Sequence, residues 1–126
     1  MRKRILMLDD NQDVLDVVKE ALSYERFEVT ITSETENIIE SISNHKPDLL
    51  MLDYKLGGLR GDEICRQVKA HPALCNMPVI ICSAYLNKDD MLACGCDAII
   101  SKPFGLDELI DTVNGLLVES VKSESQ

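Results

Sequence analysis

Residues 47–63 read PDLLMLDYKLGGLRGDE. Pro47 closes the helical pattern before it, since proline removes a backbone donor and clashes with the preceding turn. Leu49 to Leu52 is wholly apolar and stops at Asp53. A short run of this kind fits a strand covered on both faces, as in a parallel sheet, although so few apolar residues alone could also be helix. Gly57, Gly58 and Gly61 follow in a loop, and Glu63 to Ala70 then places Ile64, Cys65 and Val68 at helical spacing. The stretch therefore reads as strand, acidic residue, loop, helix.

The same unit recurs on either side. Arg4 to Leu8 is an apolar run meeting Asp9-Asp10, and Val14 to Leu22 is amphipathic with Asn11 or Asp10 available as cap. Phe27 to Ile31 alternates like a strand, and Thr35 to Ser43 turns Ile38, Ile39 and Ile42 inward. Downstream, Val79 to Cys82 and Ala98 to Ile100 are buried runs. Between them, Asp89 to Cys94 is a very short helical segment that Gly95 would close. Leu106 to Val118 is the last helix, and Glu119 to Gln126 is a polar tail expected to fray. Five β-α units in alternation predict a doubly wound α/β fold, with a parallel sheet and helices on both faces. The expected organisation is one domain over residues 1–118 and a tail over 119–126.

Bulk properties narrow the function. The chain has 126 residues, 45% of them apolar, enough for a core without disulfides or structural metal. Lys and Arg total 13 against 22 Asp and Glu, a net charge of −9. Such acidity argues against nucleic-acid binding and against an anionic membrane surface. The apolar run after the basic start is only Ile5 to Leu8, far short of a secretory core or a membrane span. The expectation is a cytoplasmic protein. Cys65, Cys75, Cys82, Cys94 and Cys96 are odd in number and irregular in spacing, with no zinc set. They read mainly as buried or incidental thiols, with a redox role for Cys94 and Cys96 as the lesser alternative.

In open parallel sheets, sites form beyond the carboxyl ends of the strands, where strand order reverses. The candidates there are Asp9, Asp10, Asp53, Ser83 and Lys102. Singly, each has a plain reading: a helix cap, a solvated loop or a surface lysine. Together they suit one chemistry. Three carboxylates in one crevice call for a cation, and hard oxygen donors suit Mg²⁺, with Mn²⁺ as a substitute. Asp53 can serve as a nucleophile that forms an aspartyl phosphate. Ser83 and Lys102 can each take a phosphoryl oxygen.

The pieces ILMLDDN (5–11), PDLLMLDYKLGGLRGDE (47–63), MPVIICSA (77–84) and GCDAIISKPF (95–104) resemble the receiver domain of bacterial two-component response regulators. The resemblance implies the flavodoxin-like strand order 2-1-3-4-5. It implies that Asp53 accepts a phosphoryl group from a histidine kinase or a histidine phosphotransfer protein. It also implies that Asp10, Asp53 and the backbone carbonyl of Lys55 bind Mg²⁺, that Asp9 acts through a water, and that Lys102-Pro103 is a cis peptide. Such a domain is not an enzyme beyond self-phosphorylation from small donors and self-dephosphorylation. It would change its affinity for a downstream protein, unnamed by the sequence, or pass the phosphoryl group along a relay. The tail after Val118 is too short for a DNA-binding domain, so a single-domain regulator is expected. A phosphohydrolase of the haloacid dehalogenase type also uses an aspartyl phosphate, but would carry Asp two residues after the nucleophile, where this chain has Lys55. A receiver-like domain that is never phosphorylated remains a further alternative.

Four departures from the family pattern bear on how the signal is passed. Leu56-Gly57-Gly58 replaces the usual Met-Pro or Leu-Pro pair, which predicts a loosened loop. Ile99 stands where an aromatic switch residue is usual; Tyr85, two after Ser83, could substitute for it, although an exposed loop tyrosine is the favoured reading there. Ser83 and Lys102 are 19 positions apart, a shorter spacing than usual, so the fourth helix should be about one turn shorter or irregular. That predicts a monomer or weak dimer rather than the common dimer of transcription-factor regulators. In the family, side chains at the positions of Lys55 and Tyr85 lie at the mouth of the site and tune water access; for Lys55 the favoured reading is a side chain pointing to solvent, the alternative one that holds a phosphoryl oxygen and slows hydrolysis.

Overall fold

The structure is a computed structural model that describes residues 3–9, 11–32, 37–56, 59–84, 94–102 and 104–124; for 55, 56, 59 and 118–124 it describes the backbone alone. The strands are β1 (Arg4–Leu8), β2 (Glu28–Thr32), β3 (Leu49–Asp53), β4 (Lys55–Leu56), β5 (Leu59–Arg60), β6 (Val79–Ser83) and β7 (Ala98–Ser101). The helices among the described residues are α1 (Gln12–Tyr24), α2 (Ile38–His45), α3 (Gly61–Ala70) and α4 (Leu106–Glu124). Five strands form one sheet in the order β2-β1-β3-β6-β7, and every pair in it is parallel. This is the expected doubly wound order.

The unbroken apolar runs are explained by two cores, one on each face of the sheet. Because side chains alternate along a strand, Leu6, Leu8, Leu50, Leu52 and Ile81 face one way. They pack with Ile38 and Ile42 of α2 and with Ile64 and Val68 of α3. Ile5, Met7, Leu49, Met51 and Ile80 face the other way, against Leu15, Val18 and Leu22 of α1 and Leu109 and Val113 of α4. From Ile5 to Leu8 and from Leu49 to Leu52 neither face meets water, so neither run shows hydrophobic alternation.

Boundaries moved where polar residues begin a helix. The first turn of α3 starts at Gly61 rather than Glu63, and Asn11 caps α1 through side-chain bonds from the Asp13 and Val14 N–H groups. The polar stretch after Val118 continues α4 as helix to Glu124. Lys55 and Leu56 pair antiparallel with Arg60 and Leu59. The residues on either side of Gly57-Gly58 are therefore paired with each other, and the two glycines, where a loosened loop was expected, lie outside the described residues. The short fourth helix expected over Asp89 to Cys94 lies, except for Cys94, outside the described residues. The five cysteines are thiols, with no disulfide among them.

Candidate functional site

Strand order reverses between β1 and β3, because β1 carries β2 on one side and β3 on the other. The register Leu8↔Leu52 places Asp9 and Asp53 side by side at the carboxyl edge. Ser83 ends β6 opposite Ser101 of β7, and Lys102 follows directly. Backbone bonds carry the sheet past its strand ends: Tyr54 N–H donates to Cys82 O at 2.8 Å and Lys102 N–H to Ser83 O at 2.7 Å. Those two bonds hold residues 53–54 and 102 across the end of β6.

Lys102 is the centre of the site. Its Nζ lies 2.9 Å from Asp9 Oδ2 and 3.0 Å from Asp53 Oδ1. Asp9 is fully buried, and its other oxygen accepts the Asn11 N–H at 2.9 Å. Burial is the largest single influence on Lys102 and opposes its charge, but the hydrogen bonds and negative charges of Asp9 and Asp53 together outweigh it, and its pKa is raised from the ordinary lysine value. Ser83 is buried beside them at the end of β6. The Cys82 thiol, next in line, is pushed up to about 12 by burial.

Gly61 explains how the acceptor strand and α3 approach so closely. A Cβ there would stand 2.5 Å from the Asp53 carbonyl oxygen, so only glycine fits. Its N–H donates to Tyr54 O at 2.7 Å. Beside Lys102 an apolar groove of about 500 Å³ opens between α1 and the start of α4, lined by Val14, Val17, Ala84, Phe104 and Leu106.

Asp9, Asp53, Ser83 and Lys102 thus come together as expected from the sequence. Ile99 is partly buried and packs on the core that also receives Tyr54. Asp10, Tyr85 and Pro103 lie outside the described residues, as does the side chain of Lys55. Among the described residues no trio of His, Cys, Asp or Glu could hold a metal ion, and no helix is long and apolar enough to cross a membrane. The donor set still fits a hard divalent cation, because two carboxylates converge on a single ammonium. Sequence reasoning missed Arg60 and Asp62. Asp62 is fully buried in the first turn of α3, with its Oδ2 2.9 Å from Arg60 Nη2 and 3.5 Å from Arg66 Nη1. The only sequence signal was opposite charges two and four apart at a helix start.

The family pattern described as response regulator receiver domain matches residues 5–114. The sensory transduction protein BceR of Halalkalibacterium halodurans is 31% identical over 117 residues, covering 90% of this chain and 49% of that protein. The response regulator MprA of a Mycobacterium species (strain KMS) is 29% identical over 120 residues, covering 93% and 51%. The chain therefore spans about half the length of these curated relatives. A solved CheY-like receiver domain protein from Methanospirillum hungatei superposes with a TM-score of 0.87 at 32% identity, covering 98% of this chain and 99% of that one.

Proposed function

This chain belongs to the response regulator receiver domain family, and on that footing we propose that Asp53 accepts a phosphoryl group from a histidine kinase or a histidine phosphotransfer protein. The observation that carries this reading is Lys102 Nζ between Asp9 and Asp53, at 2.9 and 3.0 Å. One ammonium cannot neutralise two carboxylates, so the site keeps negative charge that favours a divalent cation. Asp10, Asp53 and the Lys55 carbonyl would hold Mg²⁺, with Asp9 reached through a water. When bound, the ion supplies positive charge against the phosphoryl oxygens and holds the group in line.

The chain's own residues supply the rest. An Asp53 carboxylate oxygen attacks phosphorus, and the bond from phosphorus to the donor imidazole nitrogen breaks. The nitrogen keeps the electron pair and takes a proton from water. Lys102 exchanges its bond to Asp53 for one to a phosphoryl oxygen, staying within reach because its backbone is tied to Ser83. The Ser83 hydroxyl takes a second phosphoryl oxygen. The groove, which Lys102 helps to line, would offer the donor an apolar surface beside that ammonium. The altered charge at the strand ends then shifts affinity for a downstream protein.

Acetyl phosphate with Mg²⁺ tests the reading. The expected result is a phosphoryl adduct by mass spectrometry that Asp53→Asn abolishes. An adduct that survives Asp53→Asn, or no adduct together with no Mg²⁺ binding, would overturn it.

A further inference from the structure

Two-residue strands such as β4 and β5 are far too short to hold themselves. Yet Lys55 is paired with Arg60 and Leu56 with Leu59 immediately after the acceptor. What closes this hairpin is a set of contacts at Arg60. Its Nη2 lies 2.9 Å from Asp62 Oδ2 and its Nε 3.5 Å from Glu63 Oε1. Its guanidinium also stands 5.9 Å from the centre of the Tyr54 ring, within cation–π range. Tyr54 follows Asp53 directly, and its carbonyl receives the Gly61 N–H at 2.7 Å. Residues 60 and 61 are thus tied to residue 54 by both side chain and backbone.

Asp62 makes this more than a surface pair. Its side chain is completely buried, and among the described residues its Oδ1 has no hydrogen-bond partner. Burying a carboxylate with one oxygen unmatched is unfavourable, and an apolar side chain would avoid that cost. In its place the chain keeps a charge that orients a half-exposed arginine onto the acceptor loop.

We infer that Arg60 and Asp62 are positioning residues for the metal, fixing the backbone of Lys55 through the β4–β5 pairing, where Gly57-Gly58 removes the restraint of a proline. The inference rests on the reading of Lys55 as a carbonyl donor to Mg²⁺. Groups that orient metal ligands commonly change affinity by roughly 10- to 100-fold when removed. Arg60 acts through backbone, so the lower end applies.

The test compares the unaltered chain, Arg60→Met, Arg60→Lys and a control, Arg4→Met, which breaks an exposed pair with Glu28 at the other end of the sheet. Mg²⁺ affinity is read by calorimetry and backbone opening by amide hydrogen exchange. For Arg60→Met the expected result is an Mg²⁺ Kd raised roughly tenfold, with faster exchange confined to residues 54–62. Arg60→Lys should recover part of the affinity, and Arg4→Met should match the unaltered chain. Equal affinity in Arg60→Met would overturn the inference and leave the metal reading intact. Exchange that rises across all five strands would make Arg60 a general stabiliser and would overturn positioning. No Mg²⁺ binding by the unaltered chain would overturn the metal reading itself.

Discussion

Two lysines, each with 21% of its side chain exposed, hold the two ends of the β6–β7 half of the sheet in different ways. Lys69 bonds one carboxylate, Asp97 Oδ2 at 2.9 Å, and two backbone carbonyls, Met77 O at 2.9 Å and Cys75 O at 3.5 Å. Asp97 in turn accepts the Val79 N–H at 2.8 Å. Charge there is matched one to one, and the remaining partners are backbone. Lys102 instead bonds two carboxylates, one fully buried. Equal shielding therefore yields two different objects. Matched charge with backbone acceptors makes a clip, and a carboxylate excess around one ammonium leaves negative charge at the strand ends.

The sharpest way to break this comparison is to remove each ammonium in turn. Lys102→Met should slow phosphoryl uptake from acetyl phosphate about 100-fold, the scale of losing one preorganised charge on a transferring group. A rate within a few-fold of the unaltered chain would place Lys102 with the clip. Next in size is the response to metal. Mg²⁺ at about 100 times its Kd should raise unfolding free energy by about 2.7 kcal/mol, read from urea titrations. Lys69→Met should keep that gain and Asp53→Ala should lose it.

Lys69→Met itself should lower stability by about 2 kcal/mol, as expected when bonds to a charged group are removed from a shielded position. Its phosphoryl uptake should stay within about twofold, because the two sites share no partner. An uptake loss as large as that of Lys102→Met would dissolve the distinction.

The smallest effect is on pH dependence. Cys96, beside the clip, has its thiol pushed from 9.0 to about 12 by burial, by Cys94 and by Asp97. The unfolded chain loses this proton first, so stability falls as pH rises from 9 toward 12. Lys102 acts with the same sign but later: its pKa is raised above 10.5, so its contribution is intact below that value and lost above it. Cys96→Ala should therefore reduce the early part of the alkaline decline in urea midpoints, where the buried Cys82 thiol acts in the same sense, and leave the late part. A decline unchanged by Cys96→Ala would remove Cys96 from this account.

Much of the fold was legible because β1 and β3 are covered on both faces. Leu49 to Leu52 is apolar throughout because helices cover that strand above and below. The polar first turn of α3 was not legible, because Asp62 is buried as a charge and periodicity looks for apolar residues. The pairing of Lys55 with Arg60 was hidden for a related reason. Two glycines signal freedom, and only the neighbouring ion pairs show that their flanks are held. At the site, Asp9, Asp53, Ser83 and Lys102 could be nominated from strand ends alone, since the fold brings those ends to one edge.

By itself the sequence determined the alternation of elements, and with it which residues stand at the carboxyl edge, because apolar runs and the residues closing them are local properties. Only the tertiary structure decided which oxygen meets which cation. Lys102 reaches Asp9 across 93 positions of chain, and Gly61 fits against Asp53 because nothing larger can. Contacts of that kind depend on register and on the close packing of helix against sheet, which no local pattern encodes.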